Sequence, residues 1–334
     1  MATPPATLWL RIFLGAYAVV FALWLTSAAT PAPYGDLTQM ARLSERDFGW
    51  TQPQPEVDPA QLRDVPLAQA DVLVIGDSFS MSRYWQSALV KRGLRVATLH
   101  WDQLDNTLCA DLGPWLERAG FRGRQVLIES VERLLDRRTR LSEACQHMGP
   151  AVDVAPERVM AISGPAPWFA PNWQADFTTG WVTYRRTRQA EKAAGDLPME
   201  PGTVVRPVPG GCLLFSHRLC DKALFYAEDR QNGPLTEDTA RRLVRFNATH
   251  KALPITWLVI PNKTTVYLDP HASQPFEAAF QASALGPDLF GFARERYAGV
   301  RDFYFPNDTH LSIRGQLMLG EHLLQTVPGL RPAP

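Results

Sequence analysis

The chain has 334 residues, and its 34 basic side chains balance 34 acidic ones, so the formal net charge is zero. That balance argues against a nucleic-acid binder, whose phosphate contacts normally leave a basic excess, and against an acidic disordered protein. Hydrophobic residues at 46% permit a sizeable core, length alone suggests two domains, and 28 prolines announce long irregular connections.

Residues 12–29 read IFLGAYAVVFALWLTSAA, a run of eighteen without charge, with Arg11 in front. At about 1.5 Å per residue such a helix comes close to spanning about 30 Å of hydrocarbon. A single arginine on the short N-terminal side favours export of the rest of the chain. Ser27, Ala28 and Ala29 also supply the small residues of a cleavage site, so residues 1–33 read as an anchor or as a cleaved signal peptide. Four cysteines, Cys109, Cys145, Cys212 and Cys220, fit an oxidising compartment. Three pairings are open, the local one (Cys109 with Cys145, Cys212 with Cys220) being the simplest. With no CxxC and no His/Cys cluster, nothing points to a structural zinc or another metal.

Prolines 31, 33, 53, 55, 59 and 66 make residues 34–70 a proline-rich stalk, interrupted by a short helix over 37–48. At Asp71 the character changes: DVLVIGDSF is an apolar run closing on Gly and Asp, a buried strand entering a tight turn. A helix over 81–91, a strand over 94–99, helical sequence near Trp115 and a buried strand over 125–131 (QVLIESV) follow. Strands alternating with helices predict a parallel sheet covered on both faces. From about 151 to 247 the periodicity lapses, and it resumes with ITWLVIPNK at 255–263 and a final helix over 312–325. The expected architecture is therefore α/β, one domain over 71–330 interrupted by an insertion of roughly a hundred residues at about 151–247.

Gly76-Asp77-Ser78-Phe79 directly follows the first strand. Open α/β sheets bind ligands at the carboxyl ends of their strands, and a hydroxyl there is a nucleophile if a base reaches it. The plainer reading makes Ser78 or Asp77 a helix cap. Near the C-terminus, Asp308 and His310 stand two residues apart, just before the last helix. In that pattern the carboxylate holds the imidazole in one tautomer and the imidazole takes the serine proton. The plainer reading has Asp308 as a solvated loop residue and Ser312 as a cap.

GDSF after the first strand, with an Asp/His pair before the last helix, resembles the SGNH (GDSL-type) hydrolase superfamily. VLIESVERLL at 126–135, LFSHRLCDKALFY at 214–226, VIPNKTTVYLDP at 259–270 and YFPNDTHLSIRGQ at 304–316 narrow the resemblance to the alginate O-acetyltransferase branch, the AlgJ/AlgX type. The likeness covers roughly residues 70–327. It implies an SGNH-like sheet sandwiched by helices and a serine acyl-enzyme that transfers acetyl groups to a polysaccharide in the bacterial periplasm. Ser78 matches the nucleophile, His310 the general base and Asp308 its orienting partner; no cofactor is needed. It also implies an exported polysaccharide as acceptor and a membrane-bound acyltransferase as acetyl donor. The chain departs from the superfamily in having D-x-H where ordinary members have D-x-x-H, which fits the acetyltransferase branch. Its third block reads Glu129-Ser130-Val131-Glu132-Arg133 in place of G-x-N-D. The Ser78 backbone N–H is then the first oxyanion donor and Tyr84 a candidate second one.

Arg133, at the end of a buried strand, either binds a carboxylate or sugar or pairs with Glu129 or Glu132. Lys263 either points into the cleft or is a solvated strand-end lysine. Trp168, Trp173, Trp181 and Tyr184 form either a sugar-stacking platform or, more in keeping with aromatic burial, core packing. A periplasmic carbohydrate esterase or deacetylase with the same triad is the nearest rival reading. A non-catalytic glycan-binding subunit is the rival from another class.

Overall fold

In the computed structural model, which describes residues 4–149, 159 and 171–330, the centre of DVLVIGDSF is a fully buried strand. Three helices precede it: α1 (Pro5–Ala28), α2 (Asp36–Ala41) and α3 (Glu45–Phe48). Next come β1 (Val72–Gly76), α4 (Ser78–Met81), α5 (Tyr84–Lys91), β2 (Val96–His100) and α6 (Leu112–Arg118), then β3 (Gln125–Val131) and α7 (Glu132–Ala144). The middle of the chain holds α8 (Thr179–Lys192), β4 (Leu197–Met199), β5 (Thr203–Pro207), α9 (Gly211–Leu214) and β6 (Lys222–Tyr226). It ends with α10 (Glu228–Gln231), α11 (Glu237–Thr249), β7 (Ile255–Ile260), α12 (Lys263–Tyr267), α13 (Gln274–Ala282), α14 (Leu289–Arg296) and α15 (Ile313–Thr326).

The chain forms two compact units. One comprises Met1–Gln52, Ser163–Tyr226 and Phe305–Asp308; the other Pro53–Ile162, Ala227–Tyr304 and Thr309–Pro334. The second unit carries the α/β fold, a parallel four-stranded sheet in the order β2-β1-β3-β7. Its strands are mainly apolar, as expected where helices cover both faces of a parallel sheet. Leu73, Ile75, Leu99, Val126, Ile128, Trp257 and Val259 lie in its main core. Of the helix expected over 81–91, residues 84–91 form α5, and Arg83, which has a left-handed backbone (φ 64°) and pairs with Asp64 at 2.6 Å, separates it from α4.

The first unit is built on an antiparallel sheet, β4-β5-β6. Leu37, Ala41, Leu43 and Phe48 bury themselves there against Ala190, Val205 and Leu224. The stalk expected over 34–70 is therefore not a stalk: residues 36–48 are core of this unit. The single helix expected over 37–48 is two, separated at Arg42 (φ 51°). Of the residues expected as an insertion, Ser163–Tyr226 belong to the first unit and α11 to the second.

The 24 residues of α1 leave only Ser27 buried, and the helix is long and apolar enough to cross a membrane. Both disulfides follow the local pairing, Cys109–Cys145 in the second unit and Cys212–Cys220 in the first.

Candidate active site

In the order β2-β1-β3-β7 the chain leaves β1 in one direction for β2 and returns past it to β3. The carboxyl ends of β1 and β3 therefore flank the switch point at which open α/β sheets form their ligand crevice. Gly76 closes β1, and a Cβ there would meet Ser80 Oγ at 2.3 Å and Glu129 Oε2 at 2.9 Å. Glycine is required by that close approach.

Asp77 is the cap of α4: its carboxylate accepts the Phe79 N–H at 3.1 Å. The other carboxylate oxygen accepts the Val131 N–H at 2.8 Å and the Arg138 guanidinium at 2.9 Å, joining the ends of β1 and β3. Burial raises the Asp77 pKa, but the Arg138 charge and the two backbone donors more than reverse this, leaving it lowered. Glu129, completely buried on β3, accepts the Asp77 N–H at 2.9 Å and the Ser80 hydroxyl at 2.8 Å. Burial, then the Asp77 charge, pushes its pKa well above the ordinary carboxyl range.

With capping done by Asp77, the Ser78 side chain is released for another partner. Its Oγ lies 2.7 Å from His310 Nε2. His310 is carried by the Tyr304–Leu311 bridge and stands three positions before Ile313, the first residue of α15, which Ser312 caps through the Gly315 N–H at 3.1 Å. The Phe79 ring packs against the imidazole at 4.7 Å between centroids. A hydroxyl at hydrogen-bond distance from an imidazole, at the switch point of a parallel sheet, is the arrangement of a base-activated nucleophile.

Asp308 belongs to the first unit. Its carboxylate accepts the Asp36 N–H at 3.1 Å, and the Asn307 carbonyl accepts the Leu37 and Thr38 N–H groups at 3.1 and 3.3 Å. Asn307 and Asp308 thus take the otherwise orphaned donors of the first turn of α2. Glu45 anchors the same segment from below. It accepts the Tyr34 and Gly35 N–H groups at 3.0 Å each, the Thr38 hydroxyl, and the Asn307 amide at 2.8 Å. Burial outweighs these donors and moves the Glu45 pKa from 4.5 to about 7. A carboxyl raised on folding stabilises fully below the unfolded value and loses that contribution as pH climbs through the folded one. The shift from 4.5 to about 7 amounts to roughly 3 kcal/mol. Denaturant unfolding between pH 4.5 and 7 should therefore show stability falling with pH in the native chain and a flatter profile in Glu45→Gln. Equal slopes in the two proteins would refute this.

The remaining sequence candidates are placed differently. Arg133 pairs with Asp229 at 3.3 Å, not with Glu129 or Glu132, and its backbone N–H reaches Asn262 at 3.2 Å. Lys263 starts α12 and is buried, which excludes the solvated reading. Tyr84 is half-buried at the start of α5, burial raises its pKa, and no hydrogen bond joins it to Ser78. Trp173, Trp181 and Tyr184 are exposed, against the expectation of core packing; Trp168 lies outside the described residues. Sequence reading missed Glu129, Arg138 and Glu45. For Glu129 a signal existed, a carboxylate inside an otherwise apolar strand, which demands a buried partner. Comparison of the chain with protein-family models, curated proteins and solved structures returns no match.

Proposed function

We propose that the chain is an O-acyltransferase of the SGNH type that acetylates hydroxyls of an exported polysaccharide through an acyl-Ser78 intermediate. The observation that carries this reading is the 2.7 Å approach of Ser78 Oγ to His310 Nε2 at the carboxyl end of β1. His310 takes the Ser78 proton as Oγ attacks the acyl carbonyl and returns it to the departing donor group. It then takes the proton of a sugar hydroxyl that attacks the acyl-serine, and Ser78 recovers that proton as it leaves. Asp308, two residues earlier in the chain, is the proposed orienting carboxylate. The helix α1 anchors the protein in the bacterial inner membrane, with both units in the periplasm, where the two disulfides form. The acetyl donor is a membrane-bound acyltransferase.

Incubating the full-length chain with a chromogenic acetyl ester and an oligosaccharide, with mass spectrometry of the sugar, tests the proposal. Acetylated sugar supports transfer. Free acetate alone makes the protein an esterase, and no acyl-serine and no turnover make it a binding subunit; either result overturns the assignment.

A further inference from the structure

An aromatic face begins where the first helix ends. The Ser27 hydroxyl donates to the Phe177 carbonyl at 2.9 Å and accepts the Gly180 N–H at 3.1 Å. The Ala28 carbonyl accepts the Asn172 N–H at 2.8 Å. A Cβ on Gly180 would come within 2.7 Å of the Thr26 carbonyl carbon, so the start of α8 meets the end of α1 backbone to backbone. These contacts hold residues 172–184 level with the last turn of α1.

Trp173, Phe177, Trp181 and Tyr184 expose 77%, 43%, 52% and 56% of their surface. Outside α1, they are four of the eight large apolar side chains exposed among the described residues, gathered within twelve positions. Trp181 and Tyr184 stack at 6.2 Å. An exposed apolar concentration of this kind marks a contact surface. Arg185 and Arg188 are exposed one turn further along α8, Arg188 reaching over the Tyr184 ring while pairing with Glu191 at 2.5 Å, and Asp176 is the exposed acid of the segment. Beside it, Arg46, Arg188 and Arg218 line a cavity of about 320 Å³ around Ala29, Thr30 and Pro31, facing Asp47.

A helix the length of α1 extends about 36 Å at about 1.5 Å per residue, more than the roughly 30 Å of a hydrocarbon core. Its last turn therefore reaches the headgroup layer, and Trp24, 46% exposed, stands at the same end. Tryptophan and tyrosine prefer that layer, and arginine beside them is attracted to anionic lipid. We infer that residues 173–188 form a foot lying in the headgroup layer of an anionic bilayer, beside the point where α1 emerges. The inference rests on the proposal that α1 crosses the membrane, and it claims the aromatic face for lipid instead of sugar.

All four native cysteines are in disulfides, so a single introduced thiol can be labelled. Spin labels at Phe177→Cys and Trp181→Cys, in the full chain reconstituted into phosphatidylcholine–phosphatidylglycerol vesicles, report contact with oxygen in lipid and with a nickel chelate in water. Both sites are exposed, so the fold tolerates them. A Leu14→Cys label at the middle of α1 and free label in buffer mark the hydrocarbon and water limits. The expected oxygen-to-nickel ratio at 177 and 181 is severalfold above the buffer limit. A ratio at the buffer limit, with the Leu14→Cys label still in hydrocarbon, overturns the foot and leaves the anchor standing. A Leu14→Cys label that reads water overturns both. Labels shielded from both reagents indicate a protein or glycan cover and also overturn the foot.

Discussion

Ser78→Ala should lower acetyl-ester turnover by at least about a thousandfold while leaving the fold unchanged. The side chain makes one hydrogen bond, to His310 Nε2, and the cap of α4 is provided by Asp77 instead. Alanine is well accepted at the first position of a helix, so circular dichroism and the unfolding midpoint should match those of the native chain. His310→Ala should cost about as much, because without the base the hydroxyl is a weak nucleophile at neutral pH. The two together should cost little more than either alone, since they act as a unit. A Ser78→Ala protein that retains the native rate would remove the acyl-serine mechanism outright, and additive losses would separate the two residues functionally.

The largest stability loss is expected at Arg138. Its guanidinium binds the Asp77 carboxylate at 2.9 Å and Ser130 Oγ at 2.7 Å, and stacks over the Trp101 ring at 4.6 Å. Both ion-pair partners are almost entirely buried, at 5% side-chain exposure each. Arg138→Met leaves Asp77 as an uncompensated charge beside Glu129, a loss of about 3–5 kcal/mol. In a chain with a unit of this size that lowers the thermal midpoint by roughly 10 °C. Because the Asp77 pKa is lowered in the fold, its contribution is present above the unfolded carboxyl value and is lost as pH falls through the folded one. Adding Asp77→Asn to Arg138→Met removes the stranded charge and should restore part of the loss. If the double variant is less stable than Arg138→Met by the full cost of Asp77→Asn alone, the two side chains are not coupled.

The second unit was the more legible part of the chain. VLVIG and ITWLVI are apolar at nearly every position and QVLIESV has an apolar VLI centre, a pattern that belongs to parallel strands covered on both faces, and all three are strands of the main sheet. Ser78 and His310 were also readable, one from the glycine-bounded turn after a strand, the other from its place before a capped helix. The first unit was not. Its strands are three and five residues long, β4 and β5 carry proline, and they leave no periodicity to read. The short helix expected over 37–48 reads as part of a stalk because prolines flank it, although Leu37 and Phe48 are wholly buried. Glu45 gave no signal, since its donors come from Tyr34, Gly35, Thr38 and, 262 positions away, Asn307.

That long reach bears on how the protein matures. The first unit contains the N-terminal segment but is closed by Phe305–Asp308. Asn307 supplies acceptors for the first turn of α2, and the Pro306 carbonyl accepts the Leu224 N–H of β6 at 3.3 Å. A chain made from its N-terminus presents α2 and Glu45, then the small sheet, well before the segment that completes them. Contacts so distant in sequence form late and slowly. The unit that begins first is thus among the last parts to finish folding, and it waits on the same stretch of chain that delivers His310.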